Sequence, residues 1–176
     1  MRTIILPLTF VAALPLTALA NPVKQADGNP VPLTVSSSAF TANQPIPAEY
    51  TCDGAGNPPP LSWSNVPSAA RSVAVLVEDP DAPQGTFTHW LVTDISPTTT
   101  SLDKTLPGGA MAASKGKGAN GYTPPCPPSG RHRYNFQVFA LDLPKVKAHT
   151  RAAFLSEING HIVAKGELTG TYEKRR

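Results

Sequence analysis

With 176 residues, 20 prolines, 13 glycines and 15% charged side chains against 40% hydrophobic ones, the chain has room for one Pro-rich globular domain. A formal net charge of +3 is too small to imply nucleic acid, and the Lys174-Arg175-Arg176 tail and the Lys115-Gly116-Lys117 pair read as solvated surface. Met1-Arg2 precedes an apolar run from Ile4 to Leu19 that closes on Ala18-Leu19-Ala20, the A-x-A form of a secretory cleavage site, so residues 1–20 are expected to be a signal peptide. Pro7 and Pro15 interrupt the run, which falls short of the ~20 apolar residues a span requires. An exported protein, periplasmic or secreted and without a transmembrane span, is the expectation. In an oxidising compartment Cys52 and Cys126 have one intramolecular pairing open to them, the alternative being two separate buried thiols. Neither has a histidine or a helix start beside it in sequence, which argues against a catalytic thiol.

Residues 21–33, with Pro22, Pro30 and Pro32 and no apolar period, read as a flexible lead-in to a single domain over 34–176. A first strand begins near Thr34, and residues 40–63 form a long ordered loop that must be pinned elsewhere, with Leu61-Ser62-Trp63 its one strand-like piece. Residues 72–78 are apolar on both faces and predict a central strand with Asp79 at its exit. Strict alternation over 88–95 puts His89, Leu91, Thr93 and Ile95 on one face and Trp90, Val92 and Asp94 on the other. Residues 98–120 look like a mobile loop, and their Lys and Gly do not make a G-x-x-x-x-G-K-[ST] phosphate loop. A strand returns over 133–141, with His132 and Tyr134 on one face. Thr150 caps a short helix to about Ile158 with an apolar stripe of Ala152, Leu155 and Ile158, and residues 161–172 close the chain as a strand weakened by two glycines. Many strands and few helices give an antiparallel β-sandwich with one or two peripheral helices.

Two stretches carry the chemistry: Asp79-Pro80-Asp81-Ala82-Pro83 with His89-Trp90 behind it, and Pro127-Pro128-Ser129-Gly130-Arg131-His132-Arg133-Tyr134. If Asp79-Pro80-Asp81 is extended, its two carboxylates leave the same side of the backbone and repel unless a cation or donor sits between them. Read alone, the tripeptide is only a turn. His132, Tyr134 and His89 supply donors to complete a cleft.

On these residues, with Gly121-Tyr122, Cys126-Pro127-Pro128, Gly130 and His132-Arg133-Tyr134, the chain resembles the phosphatidylethanolamine-binding protein family, also called Raf kinase inhibitor-like proteins, in its bacterial exported form. Weaker matches are Ile46-Pro47, Tyr50-Thr51-Cys52-Asp53-Gly54, Pro59-Pro60-Leu61 with Trp63, and Gly160-His161, so the likeness runs from about Phe40 to Tyr172. The resemblance implies a β-sandwich with a small anion-accepting pocket lined by Asp79, Asp81, His89, Pro128, His132 and Tyr134, and it admits a cis bond between Ala82 and Pro83. Its ligand is expected to be a phosphorylated small molecule or phospholipid head group: carboxylates meet the ammonium of a zwitterion while imidazoles, Tyr134 and backbone N–H groups meet its phosphate. Pro124-Pro125 stands where bacterial members often have Gly-Pro, so the loop before Cys126 is expected to be stiffer and the pocket mouth narrower, and Pro58 similarly replaces a commoner serine.

The resulting expectation is a non-enzymatic binding protein with no catalytic residue, cofactor or metal. The alternative is an inhibitor or modulator of another protein, a kinase, protease or hydrolase. An acid–base hydrolase using Asp79 or Asp81 with His89 or His132 lacks an identifiable nucleophile, since Ser129 is outside any G-x-S-x-G elbow.

Overall fold

A computed structural model describes residues 29–112 and 119–174. The signal-peptide expectation for residues 1–20 lies outside that range, as do the Lys115-Gly116-Lys117 pair and the last two arginines. In chain order the elements are β1 (Val31–Pro32), β2 (Thr34–Ser37), β3 (Leu61–Ser64), β4 (Ser72–Asp79), β5 (Phe87–Ile95), β6 (Ser101–Leu102), β7 (Met111–Ala112), β8 (Arg131–Leu141), α1 (Arg151–Glu157) and β9 (Ile162–Glu173). The larger sheet has the order β1-β9-β8-β4-β5-β7 and the smaller β2-β3-β6. Among these strands the short β1–β9 pairing is parallel and the remaining pairs run antiparallel. No helix among the described residues is long and apolar enough to cross a membrane.

β4 is central because every one of its residues is buried: β5 and β8 flank it, and both of its faces are covered. Val73, Val75 and Val77 face the core between the sheets, with Trp63, Trp90, Val92, Phe136 and Val138. Ala74 and Leu76 face the opposite side, where Phe139, Leu91, Phe154 and Ile158 cover them. The sandwich therefore carries α1 on its outer face. Thr150 caps this helix, its Oγ1 accepting from the Ala153 N–H at 3.3 Å. Its buried face is set by Phe154 and Ile158, one turn apart, while Ala152 of the expected stripe is exposed. Arg151 and Gln137 both donate to the buried carboxylate of Glu78, tying the helix start to the sheet.

The expected lead-in departs from the residue pattern. Val31–Pro32 pairs with β9 and Leu33 is buried, so the end of that segment is part of the domain. Burial of Leu33 and the Leu33 N–H bond to the Lys165 carbonyl at 2.9 Å explain why. Gly166 sits beneath this crossing: a Cβ there would come within 2.5 Å of the Leu33 carbonyl oxygen. The ladder to β8 runs through the glycine, whose missing side chain lets a second segment approach the strand. The stretch 98–120, expected to be loop, contains the two short strands β6 and β7.

The long early loop is pinned as expected, and in several ways. Phe40 and Ile46 are buried, the N–H groups of Asn43 and Ile46 each reach β9 carbonyls at 2.7 Å, and the Tyr172 hydroxyl donates to Asp53. Cys52 and Cys126 form a disulfide with their Cα atoms 5.4 Å apart.

Candidate functional site

The site occupies a notch at one end of the larger sheet. β4 pairs with β8 only as far as Glu78 opposite Asn135, whereas β8 continues to Arg131 with β9 alone beside it. On the other side β5 begins with Phe87 opposite Asp79. At this end the central strand is thus shorter than β8 and stops level with β5. The space beyond it is closed by the turn after Asp79 and by the Thr123 to Pro128 segment.

Ending a strand leaves its neighbour's backbone groups without partners, and Asp81 supplies one. The Arg133 N–H on β8 donates to Asp81 Oδ2 at 2.9 Å, and the same side chain's Nε and Nη2 donate to Asp81 at 2.9 and 2.6 Å. These bonds from Arg133, side chain first and backbone second, hold the Asp81 carboxyl down to about 2. Asp79 turns the other way. Its Oδ1 accepts from the Asp81 N–H at 2.8 Å and its Oδ2 from His132 Nδ1 at 2.7 Å. The two carboxylates therefore do not share one side of an extended tripeptide: an Asx-type turn splits them, and Asp81 is absent from the lining of the cavity.

His89 reaches the notch by a β-bulge. Pairing steps from Val77 opposite Trp90 to Glu78 opposite Thr88, one residue on β4 against two on β5, and His89 is the extra residue. Strict alternation places it with Leu91; instead its ring stands edge-on to Tyr134, centroids 5.2 Å apart, on the side of the inter-sheet core. A second irregularity, at Asp94 with its φ of +60°, likewise turns Ile95 into the core with Trp90 and Val92. The ring of His89 is fixed by the Thr123 carbonyl, 2.6 Å from Nδ1. A carbonyl only accepts, so Nδ1 carries the hydrogen and the neutral ring presents Nε2 as its lone pair. Burial pushes this imidazole below its ordinary pKa, partly offset by the Thr123 bond and by Asp79. The same logic fixes His132, whose Nδ1 is committed to Asp79.

These groups converge on a cavity of about 220 Å³ lined by Asp79, Ala82, Pro83, Phe87, His89, Thr123, Pro124, Cys126, Pro127, Pro128, His132 and Tyr134. Five of the six expected site residues are thereby brought together: Asp79, His89, Pro128, His132 and Tyr134. The buried hydroxyl of Tyr134 has no hydrogen-bond partner among the described residues, and burial, with Asp79 adding to it, keeps the phenol protonated far above neutral pH. The Ala82–Pro83 bond is trans, as are the other described peptide bonds, so the cis form admitted above is not adopted; trans is the lower-energy form of an X–Pro bond by about 0.5–1 kcal/mol. Thr123 and Phe87 are the lining residues that sequence did not single out. Thr123 acts through its backbone carbonyl, which no side-chain motif signals, while an aromatic two positions before His89 was a visible cue. No group of three His, Cys, Asp or Glu side chains fit to hold a metal ion occurs among the described residues.

A β-sandwich whose shortened central strand leaves a small preformed cavity with a few convergent polar groups is the architecture of a ligand-binding domain. The family model for phosphatidylethanolamine-binding proteins matches residues 36–173, and the chain belongs to that family. A UPF0098 protein of Chlamydia muridarum is 42% identical over 149 residues, covering 81% of this chain and 99% of the relative. The crystal structure of CT736 from Chlamydia trachomatis, described as a phosphatidylethanolamine-binding protein homologue, superposes with a TM-score of 0.74 at 40% identity, over 81% of this chain and 98% of that one. That of YbcL from E. coli, described as a new member of the mammalian family, gives 0.72 at 30% identity, over 81% and 99%. Proteins of this family are generally non-catalytic binding proteins.

Proposed function

We propose that the protein is an exported, non-enzymatic binder that takes phosphorylated small molecules or phospholipid head groups by their phosphate. The observation that carries this is the convergence of Tyr134, His89 and His132 on one cavity, each with a polar atom left over after its structural bonds are made. The Tyr134 hydroxyl is a ready donor. Each imidazole has its Nδ1 committed, so protonation of the ring turns Nε2 into a donor where an anion can reach it. Asp79 holds His132 in the tautomer that makes this so.

The same geometry supports binding over turnover. Ser129 is absent from the cavity lining, and the two cysteines are joined to each other. Export is supported by the disulfide, which oxidising compartments preserve, together with the sequence pattern of residues 1–20.

Calorimetric titration with inorganic phosphate and with O-phosphoethanolamine tests the reading. Saturable binding that Tyr134→Phe weakens by about tenfold is expected, the loss of one hydrogen bond to a charged group. Heat that stays at the dilution level with both compounds removes the phosphate from the proposal.

A further inference from the structure

The walls of the cavity differ in chemistry from its polar floor. Ala82, Pro83, Pro124, Pro127 and Pro128 line it, and Phe87, although 47% exposed, leans its ring on His89 with centroids 4.8 Å apart in an edge-on arrangement. Among the described residues Asp79 is the one carboxylate in the lining, and both of its oxygens already accept hydrogen bonds, from Asp81 and from His132. Asp81 is turned away and held by Arg133. A ligand seated by its phosphate therefore meets, for an ammonium on its substituent, a single carboxylate already engaged by two donors. Otherwise it meets an apolar collar.

We infer that Phe87 is a specificity-determining residue and that the site selects phosphomonoesters whose substituent is apolar or aromatic, over inorganic phosphate and over the ethanolamine ester. The inference rests on the phosphate reading above and adds the identity of the substituent. The proline walls are stiff, so a flat or branched apolar group finds a preformed surface and little ordering cost is left to pay on binding. Phe87 supplies the adaptable part, since an exposed aromatic gains from covering a ring by offset or edge-on contact.

Three probes, inorganic phosphate, O-phosphoethanolamine and phenyl phosphate, are titrated against the full mature chain and against Phe87→Ala and Phe87→Trp. Phenyl phosphate is expected to bind about tenfold more tightly than inorganic phosphate, the order of one aromatic contact with its buried area. O-phosphoethanolamine gains no more than about twofold, an ammonium whose one carboxylate is already engaged being worth little there. The phenyl preference falls towards unity in Phe87→Ala and returns in Phe87→Trp. Equal affinities for phenyl phosphate and inorganic phosphate overturn the inference while leaving the phosphate reading intact, as does a preference that Phe87→Ala does not alter. Tighter binding of O-phosphoethanolamine than of phenyl phosphate also overturns it. Failure of all three probes to bind ends the phosphate reading and this inference together. The same chemistry is offered by a free ester and by phosphatidic acid in a bilayer, so phosphatidylcholine vesicles with and without phosphatidic acid complete the set. Sedimentation of the wild type, but not Phe87→Ala, with the phosphatidic acid vesicles alone supports the collar and assigns a lipid source. Sedimentation that Phe87→Ala matches overturns the collar's part in it.

Discussion

Replacing both cysteines with serine is the perturbation that reaches fold and cavity at once. The disulfide joins residues 74 apart in sequence, and closing a loop of that length in the unfolded chain stabilises the folded form by about 4 kcal/mol in the chain-entropy account. That is a large share of the roughly 5–15 kcal/mol by which domains of this kind are stable. With a urea slope of about 2 kcal/mol per molar, the unfolding midpoint of Cys52→Ser/Cys126→Ser should fall by about 2 M. Contacts around the bridge are modest by comparison: the Cys52 N–H donates to the Pro125 carbonyl at 3.0 Å, and a single bond of this kind contributes about 1 kcal/mol. Equilibrium urea unfolding of the oxidised wild type and the double variant measures the difference. Because Cys126 lies in the cavity wall between Pro124 and Pro127, phosphate titration of the folded variant below its unfolding midpoint should also show weaker binding. A midpoint shift below about 0.5 M would refute the reasoning, since it would mean that the bridge constrains the unfolded chain hardly at all. An unchanged phosphate affinity would separately show that the wall keeps its shape without the bridge.

His89 predicts a pH dependence with two opposite signs. Its folded-state pKa lies below the ordinary 6.5, so between those values the unfolded chain binds the extra proton and stability falls as pH drops through that window, by at most about 1.4 kcal/mol per pH unit. A bound anion favours the protonated ring, so sulfate, whose charge is constant over this range, should bind more tightly as pH falls through the same window. His89→Gln should flatten both profiles, and a variant whose sulfate profile matches the wild type would clear His89 of the role. Gly166→Ala forces a Cβ against the Leu33 carbonyl and should cost about 1–3 kcal/mol in urea unfolding, with the amide of Leu33 losing its hydrogen-exchange protection. Wild-type stability and protection would show that the first strand does not depend on that close approach.

The regular parts of the fold were legible because one period ran through them undisturbed. β4 and β8 follow from uninterrupted apolar patterning, and α1 from a cap and a terminal glycine. What could not be read was whatever depends on a distant partner. His89 obeys strict alternation in sequence, yet the bulge against Val77 and Glu78 turns it toward Tyr134, and nothing in residues 87 to 95 announces an extra residue. Val31 and Leu33 looked like linker because their partner strand lies more than a hundred positions later and is made receptive by the missing side chain of Gly166. The site residues were legible as a set because they sit in two proline-stiffened motifs; their individual duties were not, since Asp79 and Asp81 differ only in which neighbour each one faces.

That difference can be put to a direct test. Asp81 finishes a β-ladder: it takes the Arg133 N–H that β4, having ended, no longer serves. Asp79 lies in the cavity lining and orients the ring of His132. If those duties are separate, Asp79→Asn and Asp81→Asn must fail in different assays. Asp79→Asn loses the charge-assisted bond to Nδ1 and frees the ring to take its other tautomer, so phosphate affinity should drop by about tenfold, the scale of one lost charge-assisted hydrogen bond. Asp81→Asn should leave phosphate affinity within about twofold and show its loss in acid unfolding instead. A carboxyl held at about 2 contributes stability that is complete above its unfolded value near 3.8 and disappears as pH falls through 2. The wild type should therefore lose stability relative to Asp81→Asn across that interval, by an amount that solvent screening of the half-open Arg133 pair keeps small. Equal losses of phosphate affinity in the two variants would place both carboxylates in the cavity, as the family resemblance implied, and would overturn the assignment of Asp81 to the end of the sheet.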